Sequence, residues 1–203
     1  MKRRLVILST LLAAATISAG CAGPMASQTQ AGWTTLLDGS SLAQWDQIGN
    51  ANWRLIDGAA QADKGVGFLV SKSSYTDFEI RAEFWVDSDA NSGVFIRLSD
   101  SKNVTATNSY EVNIYEKRPD PLYGTGAIVD IAKVSPMPKA GGQWNVYEIT
   151  AKGTRLTVKL NGTQTADVTD SKHASGPIAL QYAPGVVKDA GIVKFRKVQI
   201  RAL

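Results

Sequence analysis

Cysteine and histidine are almost missing: Cys21 and His173 are the single examples among 203 residues. One thiol leaves no intramolecular disulfide and no cysteine-based metal site, and one imidazole excludes a zinc centre built on several histidines. Carboxylates alone would have to hold a divalent cation such as Ca²⁺; no motif calls for one, and nothing else in the sequence requires a cofactor. Long apolar runs are lacking too. The longest uncharged, mostly apolar stretch, residues 5–17, has 13 residues, short of the ~20 that span a bilayer as a helix. Nor does any segment carry a sustained i, i+3, i+4, i+7 apolar stripe, so amphipathic helices are not expected.

What is present begins with Lys2, Arg3 and Arg4 ahead of that apolar stretch, which ends in Ser18-Ala19-Gly20-Cys21. This is the order of a signal peptide: basic region, apolar region, small-residue cleavage site. Small residues directly before a cysteine resemble the lipobox of bacterial lipoproteins, although Ser18 stands where leucine is usual. The resemblance implies an exported chain with residues 1–20 removed, lipid on Cys21, and a place at the cell envelope on the outer membrane or its periplasmic side. The membrane would then be a partner through the lipid anchor only. Removal also changes the charge balance. Three of the 22 basic residues leave, so 19 face 18 acidic ones and the formal charge falls from +4 to +1, which takes away the electrostatic support for nucleic-acid binding. Residues 22–31 are small and polar, without apolar periodicity, and read as a tether. Residues 32–203 hold no second linker and no repeat, so they are expected to form one domain, large enough to stand on its core without a staple.

Period-two alternation predicts an all-β fold. It is clear over Phe78–Val86 and over residues 93–98, 110–115, 146–151, 155–160, 178–182 and 193–200, and weaker near Trp33, Trp53, Phe68 and Ile128. Asp57-Gly58 and Asn161-Gly162 lie between such runs as tight hairpin turns with positive φ. About a dozen short strands imply a sandwich of two antiparallel sheets.

Alternation also predicts faces. Phe78, Ile80, Ala82, Phe84 and Val86 point inward, as do Val94, Ile96, Leu98, Val112 and Ile114 on the next two strands. The opposite parity holds Glu79, Arg81, Glu83 and Trp85, then Phe95 and Arg97, then Glu111, Asn113 and Tyr115. If the three strands pair in sequence order, these residues share one outer face. Such a mixture is either a solvated surface or a sugar-binding one, where aromatic rings stack on the C–H face of a pyranose while charged and amide groups bond its hydroxyls. Grouped aromatics favour the second reading. Direct hydrolysis by paired carboxylates fits poorly: Glu79 and Glu83 lie about 13 Å apart at ~3.3 Å per residue, and retaining pairs need far less. His173, in Ser-Lys-His-Ala-Ser, reads as a surface loop residue.

Motifs across residues 32–203 are similar to those of the bacterial 3-keto-disaccharide hydrolases, also described as 3-keto-glucoside lyases and hydratases. They include Gly32-Trp33, Leu37-Asp38-Gly39, Asp77-Phe78-Glu79, Asn91-Ser92-Gly93-Val94-Phe95-Ile96-Arg97, Tyr110-Glu111-Val112 and Thr125-Gly126-Ala127-Ile128. Trp144-Asn145, Gly176-Pro177-Ile178, Leu180-Gln181 and the closing Phe195-Arg196-Lys197-Val198-Gln199-Ile200 continue the match. The resemblance implies a concanavalin A-like jelly roll acting on a small saccharide or keto-sugar. Two positions depart from the pattern: Ala183 stands where histidine is frequent, and Asn113 where glutamine is common.

The chemistry so implied is elimination followed by hydration. A ketone at C3 acidifies the proton on C2, and its removal lets the C1 oxygen substituent leave. Glu111 or Glu83 would be the base and Arg97 the stabiliser of the enolate. Glu79, Trp85, Asn113, Tyr115, Gln181 and Tyr182 would bind the substrate. Tyr182 is equally consistent with a core position. The alternative is a non-catalytic cell-surface domain that binds carbohydrate or serves adhesion, a reading that Ala183 favours.

Overall fold

A computed structural model describes residues 32–187 and 191–203; the cleavage site, Cys21 and the tether lie outside these residues. Among the described residues thirteen strands succeed one another: β1 (Thr34–Leu37), β2 (Trp45–Gly49), β3 (Arg54–Ile56), β4 (Ala59–Ala62), β5 (Gly67–Ser71), β6 (Phe78–Val86), β7 (Ala90–Ile96), β8 (Tyr110–Ile114), β9 (Gln143–Lys152), β10 (Arg155–Leu160), β11 (Thr163–Thr169), β12 (Ala179–Pro184) and β13 (Val193–Ala202). The described helical structure is one 3₁₀ turn, Pro121–Tyr123. No helix among the described residues is long and apolar enough to cross a membrane.

The strands form two antiparallel sheets. One runs β11-β10-β9-β6-β13-β4-β3, with β1 also on β13; the other runs β2-β5-β12-β7-β8. Both expected hairpin turns carry positive φ at both central residues, Asp57 and Gly58 between β3 and β4, Asn161 and Gly162 between β10 and β11. That geometry matches the twist of the flanking strands.

The core lies between the sheets. Phe78, Ile80, Ala82, Phe84 and Val86 of β6 are sealed from solvent against Val94, Ile96, Val112, Ile114 and Leu180 of the other sheet. Phe84 packs on Tyr147 and Phe195, with ring centroids at 4.9 and 6.4 Å.

Two expectations fail here, each for a local reason. First, β6 does not pair with β7; it lies between β9 and β13, while β7 lies between β12 and β8. The connection Asp87-Ser88-Asp89 is an arch from one sheet to the other. Asp87 Oδ1 accepts the N–H groups of Asp89 and Ala90, and Oδ2 accepts that of Ile192. An aspartate that bonds its own backbone two residues on turns the chain without a hairpin. Second, alternation stops at Arg97, whose φ of 55° is left-handed. A single αL residue shifts the parity of the residues after it. Leu98 therefore joins Phe95 outside the main core instead of facing inward.

Candidate functional site

The split of β6 from β7 separates the expected site residues onto opposite sides of the sandwich. On the outer face of the eight-stranded sheet the carboxylates are already engaged. Glu83 accepts from Arg196 Nε at 2.6 Å, Arg81 pairs with Glu148 at 3.1 Å, and Glu79 pairs with Arg201. Trp85 lies under Lys194, 5.1 Å from ammonium to ring centroid. Glu79, Glu83 and Trp85 therefore share a face with one another but not with Glu111.

The outer face of the five-stranded sheet is built differently. Its register places Phe95 opposite Glu111 and Gly93 opposite Asn113. On the other side of β7, Ala179 stands opposite Phe95 and Ala183 opposite Asn91, which brings Gln181 across from Gly93. Glu111, Asn113, Gln181 and Asn91 thus surround Gly93, at about 5 Å per strand step. A side chain at 93 would not fit easily: a Cβ there would lie 3.3 Å from Phe95 Cε2 and 3.4 Å from Glu111 Cγ. Beside this polar group lies an apolar one, where Phe95 meets Phe68 edge-on at 5.4 Å and packs with Val70, Leu98, Val104 and Ala179.

Three amide oxygens in the polar group, Asn91 Oδ1, Asn113 Oδ1 and Gln181 Oε1, are buried without a hydrogen-bond partner. Native folds rarely leave buried acceptors unpaired, and each costs about 1–3 kcal/mol. Three on one sheet face mark a place where hydroxyl donors belong. Among them stands the Glu111 carboxyl, 8 % exposed and without an ion pair among the described residues. Burial pushes it up to about 7; Arg118 pulls it down and Asp130 adds to the rise. A buried carboxyl that changes charge near neutral pH is suited to take and return a proton.

Backbone bonds hold this face in place. Asn113 Nδ2 donates to the Tyr123 carbonyl at 2.7 Å, and the Asn113 carbonyl accepts from Tyr147 Oη and from Gly126 N–H. Val129 N–H reaches the Glu111 carbonyl at 3.0 Å. The Thr125-Gly126-Ala127-Ile128 motif thereby closes the free edge of β8, with Gly126 at a φ of 93°. This segment also carries Asp130 to Glu111. Tyr115 lies at the same edge, half-buried, its N–H bonded to Thr125 Oγ1 at 2.9 Å.

Arg97 is not on this face. Its side chain is 1 % exposed and donates to the carbonyls of Thr76, Gly153 and His173 and to Asp77 Oδ1 at 3.1 Å. It ties loops together and has no contact with Glu111. His173 belongs to the same knot and corrects the surface-loop expectation: it is buried, its N–H donates to Tyr110 Oη, and its ring meets Tyr110 at 5.1 Å. Tyr182 points into the main core, fully buried, with its hydroxyl on the Gly191 carbonyl. It is a packing residue and does not face the site.

Of the expected residues, the structure groups Glu111, Asn113, Gln181 and Tyr115. Asn91 was not anticipated, although its parity with Gly93 and Phe95 is legible. Arg118 and Asp130 come from loops, where periodicity carries no signal. Among the described residues no cluster of three or more histidine, cysteine, aspartate or glutamate side chains is placed to hold a metal ion.

Two stacked antiparallel sheets in this strand order make a concanavalin A-like jelly roll. A family model for the 3-keto-alpha-glucoside-1,2-lyase-like domain matches residues 32–201, and the chain belongs to that family. Two proteins from Parabacteroides distasonis, both provisionally described as glycosyl hydrolases, share the fold. One is 25% identical, covers 84% of this chain and 99% of its own, and superposes with a TM-score of 0.68. The other is 16% identical, with 85% and 94% coverage and a TM-score of 0.72. A carbohydrate-binding module, CBM66 from Bacillus subtilis, is similar at 21% identity, 84% and 96% coverage and a TM-score of 0.55. No curated protein matches the chain by sequence.

Proposed function

We propose that this chain cleaves 3-keto-glycosides on the outer face of the five-stranded sheet, with Glu111 as the base. The observation that carries the reading is the buried Glu111 carboxyl, pushed up to about 7, among three unpartnered amide oxygens. Glu111 takes the proton from C2, made acidic by the neighbouring ketone; the electron pair forms the enolate and then expels the oxygen substituent at C1, which leaves as the alcohol on receiving that proton back from Glu111. In a second step water adds across the resulting C1–C2 double bond: Glu111 takes a proton from the water as its oxygen bonds to C1 and delivers a proton to C2. Asn91, Asn113 and Gln181 accept hydrogen bonds from substrate hydroxyls, and the apolar group around Phe95 and Phe68 lies beside the ring. Arg118, the cation that acts on Glu111, takes the part of enolate stabiliser that Arg97 does not fill. Membership of the lyase-like family and the similarity to the P. distasonis proteins support the chemistry.

A second reading rests on the similarity to a carbohydrate-binding module and on Ala183, opposite Asn91: the same face holds a sugar without reacting. Incubation with a 3-keto-glucoside, with analysis of the released sugars, separates the two. Turnover that disappears in Glu111→Gln supports the enzyme; tight binding without any product supports the module.

The envelope location belongs to the same proposal. Cys21 carries the lipid, and the domain works at the outer membrane or in the periplasm. Cys21→Ser should abolish lipid labelling and release the chain from the membrane fraction. Unchanged membrane retention of that variant would contradict the anchor.

A further inference from the structure

On the far side of the sandwich from Glu111, three depressions of about 160, 240 and 290 Å³ lie in a row across the eight-stranded sheet. The first is lined by Trp33, Glu79, Arg81, Glu148, Thr157 and Lys159. The second shares Arg81 and Glu148 with it and adds Glu83, Lys197 and Gln199; the third shares those last three and ends at Thr35 and Asp38. The groove so formed crosses β10, β9, β6, β13 and β1, four strand steps or about 20 Å. That is longer than any single sugar ring.

The charges in it are sorted by residue type. Its arginines are paired: Arg81 with Glu148, Arg196 with Glu83, Arg201 with Glu79. Lys159 and Lys197, set across from Glu148 and Glu83 in the register, form no ion pair among the described residues; with Asp38 counted, five cations line the groove against four carboxylates, a net charge of +1. Its one tryptophan is covered as well. Trp33, the tryptophan that lines it, is 7 % exposed and has the guanidinium groups of Arg81 and Arg201 each 5.0 Å from its ring centroid. The groove therefore offers no open tryptophan face to a neutral pyranose; its unpaired polar groups are the two ammonium groups, Gln199, Thr157 and, at the far end, Asp38.

We infer that this groove binds an extended, carboxylate-bearing polysaccharide, a polyuronate, as a second and non-catalytic site. Lys159 and Lys197, three strand steps or about 14 Å apart, meet carboxylates several residues apart along the polymer, and the length of the groove selects a polymer over a monosaccharide. This site is independent of the cleavage proposed at Glu111.

The test is affinity electrophoresis of the folded chain through gels containing polygalacturonate, dextran or no polymer. Polygalacturonate should retard the chain and dextran should not. Lys159→Ala combined with Lys197→Ala should weaken retardation by about tenfold or more, since two charge-assisted contacts are lost, while Glu111→Gln should be retarded like the parent. The inference is overturned by any of four results: no retardation, an unaltered double variant, loss of retardation in Glu111→Gln, or binding of phosphatidylglycerol vesicles or polyphosphate as tight as that of polygalacturonate.

Discussion

Replacing Glu111 with glutamine tests the electrostatics of the site without any substrate. In the folded chain burial raises this carboxyl from 4.5 to about 7, so the folded state holds its proton more tightly than the unfolded state does. Stability from this group is complete below pH 4.5 and is lost as pH rises toward and through 7. At about 1.4 kcal/mol per pH unit, the full loss is about 3 kcal/mol. Glutamine keeps the shape and never ionises. Glu111→Gln should therefore match the parent at pH 4, apart from a constant offset, and gain about 3 kcal/mol on it by pH 8. Urea unfolding of both proteins between pH 4 and pH 9 measures the difference, and the other titrating groups, His173 included, cancel. A difference that stays constant with pH would refute the claim that a buried, unpaired carboxyl occupies this face.

Arg97→Ala should destabilise the fold by about 3–5 kcal/mol, because it strands three carbonyls and Asp77 in a buried knot; a change under about 1 kcal/mol in denaturant unfolding would show Arg97 to be a surface residue after all. Phe84→Ala should cost a similar 3–5 kcal/mol, since the ring is fully buried between Tyr147 and Phe195. Glu83→Gln should change unfolding stability by under about 1 kcal/mol, because its ion pair with Arg196 is a surface one.

The inward parity of β6 and β8, the two Asx-Gly hairpins and the all-β character of the described residues were legible, because period two and turn chemistry are local signals. Which sheet each strand joins was not. Nothing in Asp87-Ser88-Asp89 distinguishes an arch from a turn until the Asp87 carboxylate is seen to hold Ile192 from the far end of the chain. That one connection sends Glu83 and Trp85 to the opposite side from Glu111. Arg97 misled for a related reason: its parity predicts an outward side chain, but a left-handed residue at the strand end turns the guanidinium into the packed loops. Glu111, Asn113 and Gln181 were legible because each sits mid-strand between apolar neighbours that fix its face. Arg118 and Asp130 act from loops whose course depends on tertiary bonds to β8.

The central claim is that Glu111 removes a proton from a 3-keto-glycoside. Its most direct measurement is kcat/KM on a 3-keto-glucoside for the parent, Glu111→Gln and Glu83→Gln under identical conditions. The account predicts turnover by the parent, a loss of at least about a hundredfold in Glu111→Gln, and little change in Glu83→Gln, which lies on the opposite face. Full activity in Glu111→Gln, or a collapse confined to Glu83→Gln, would contradict it.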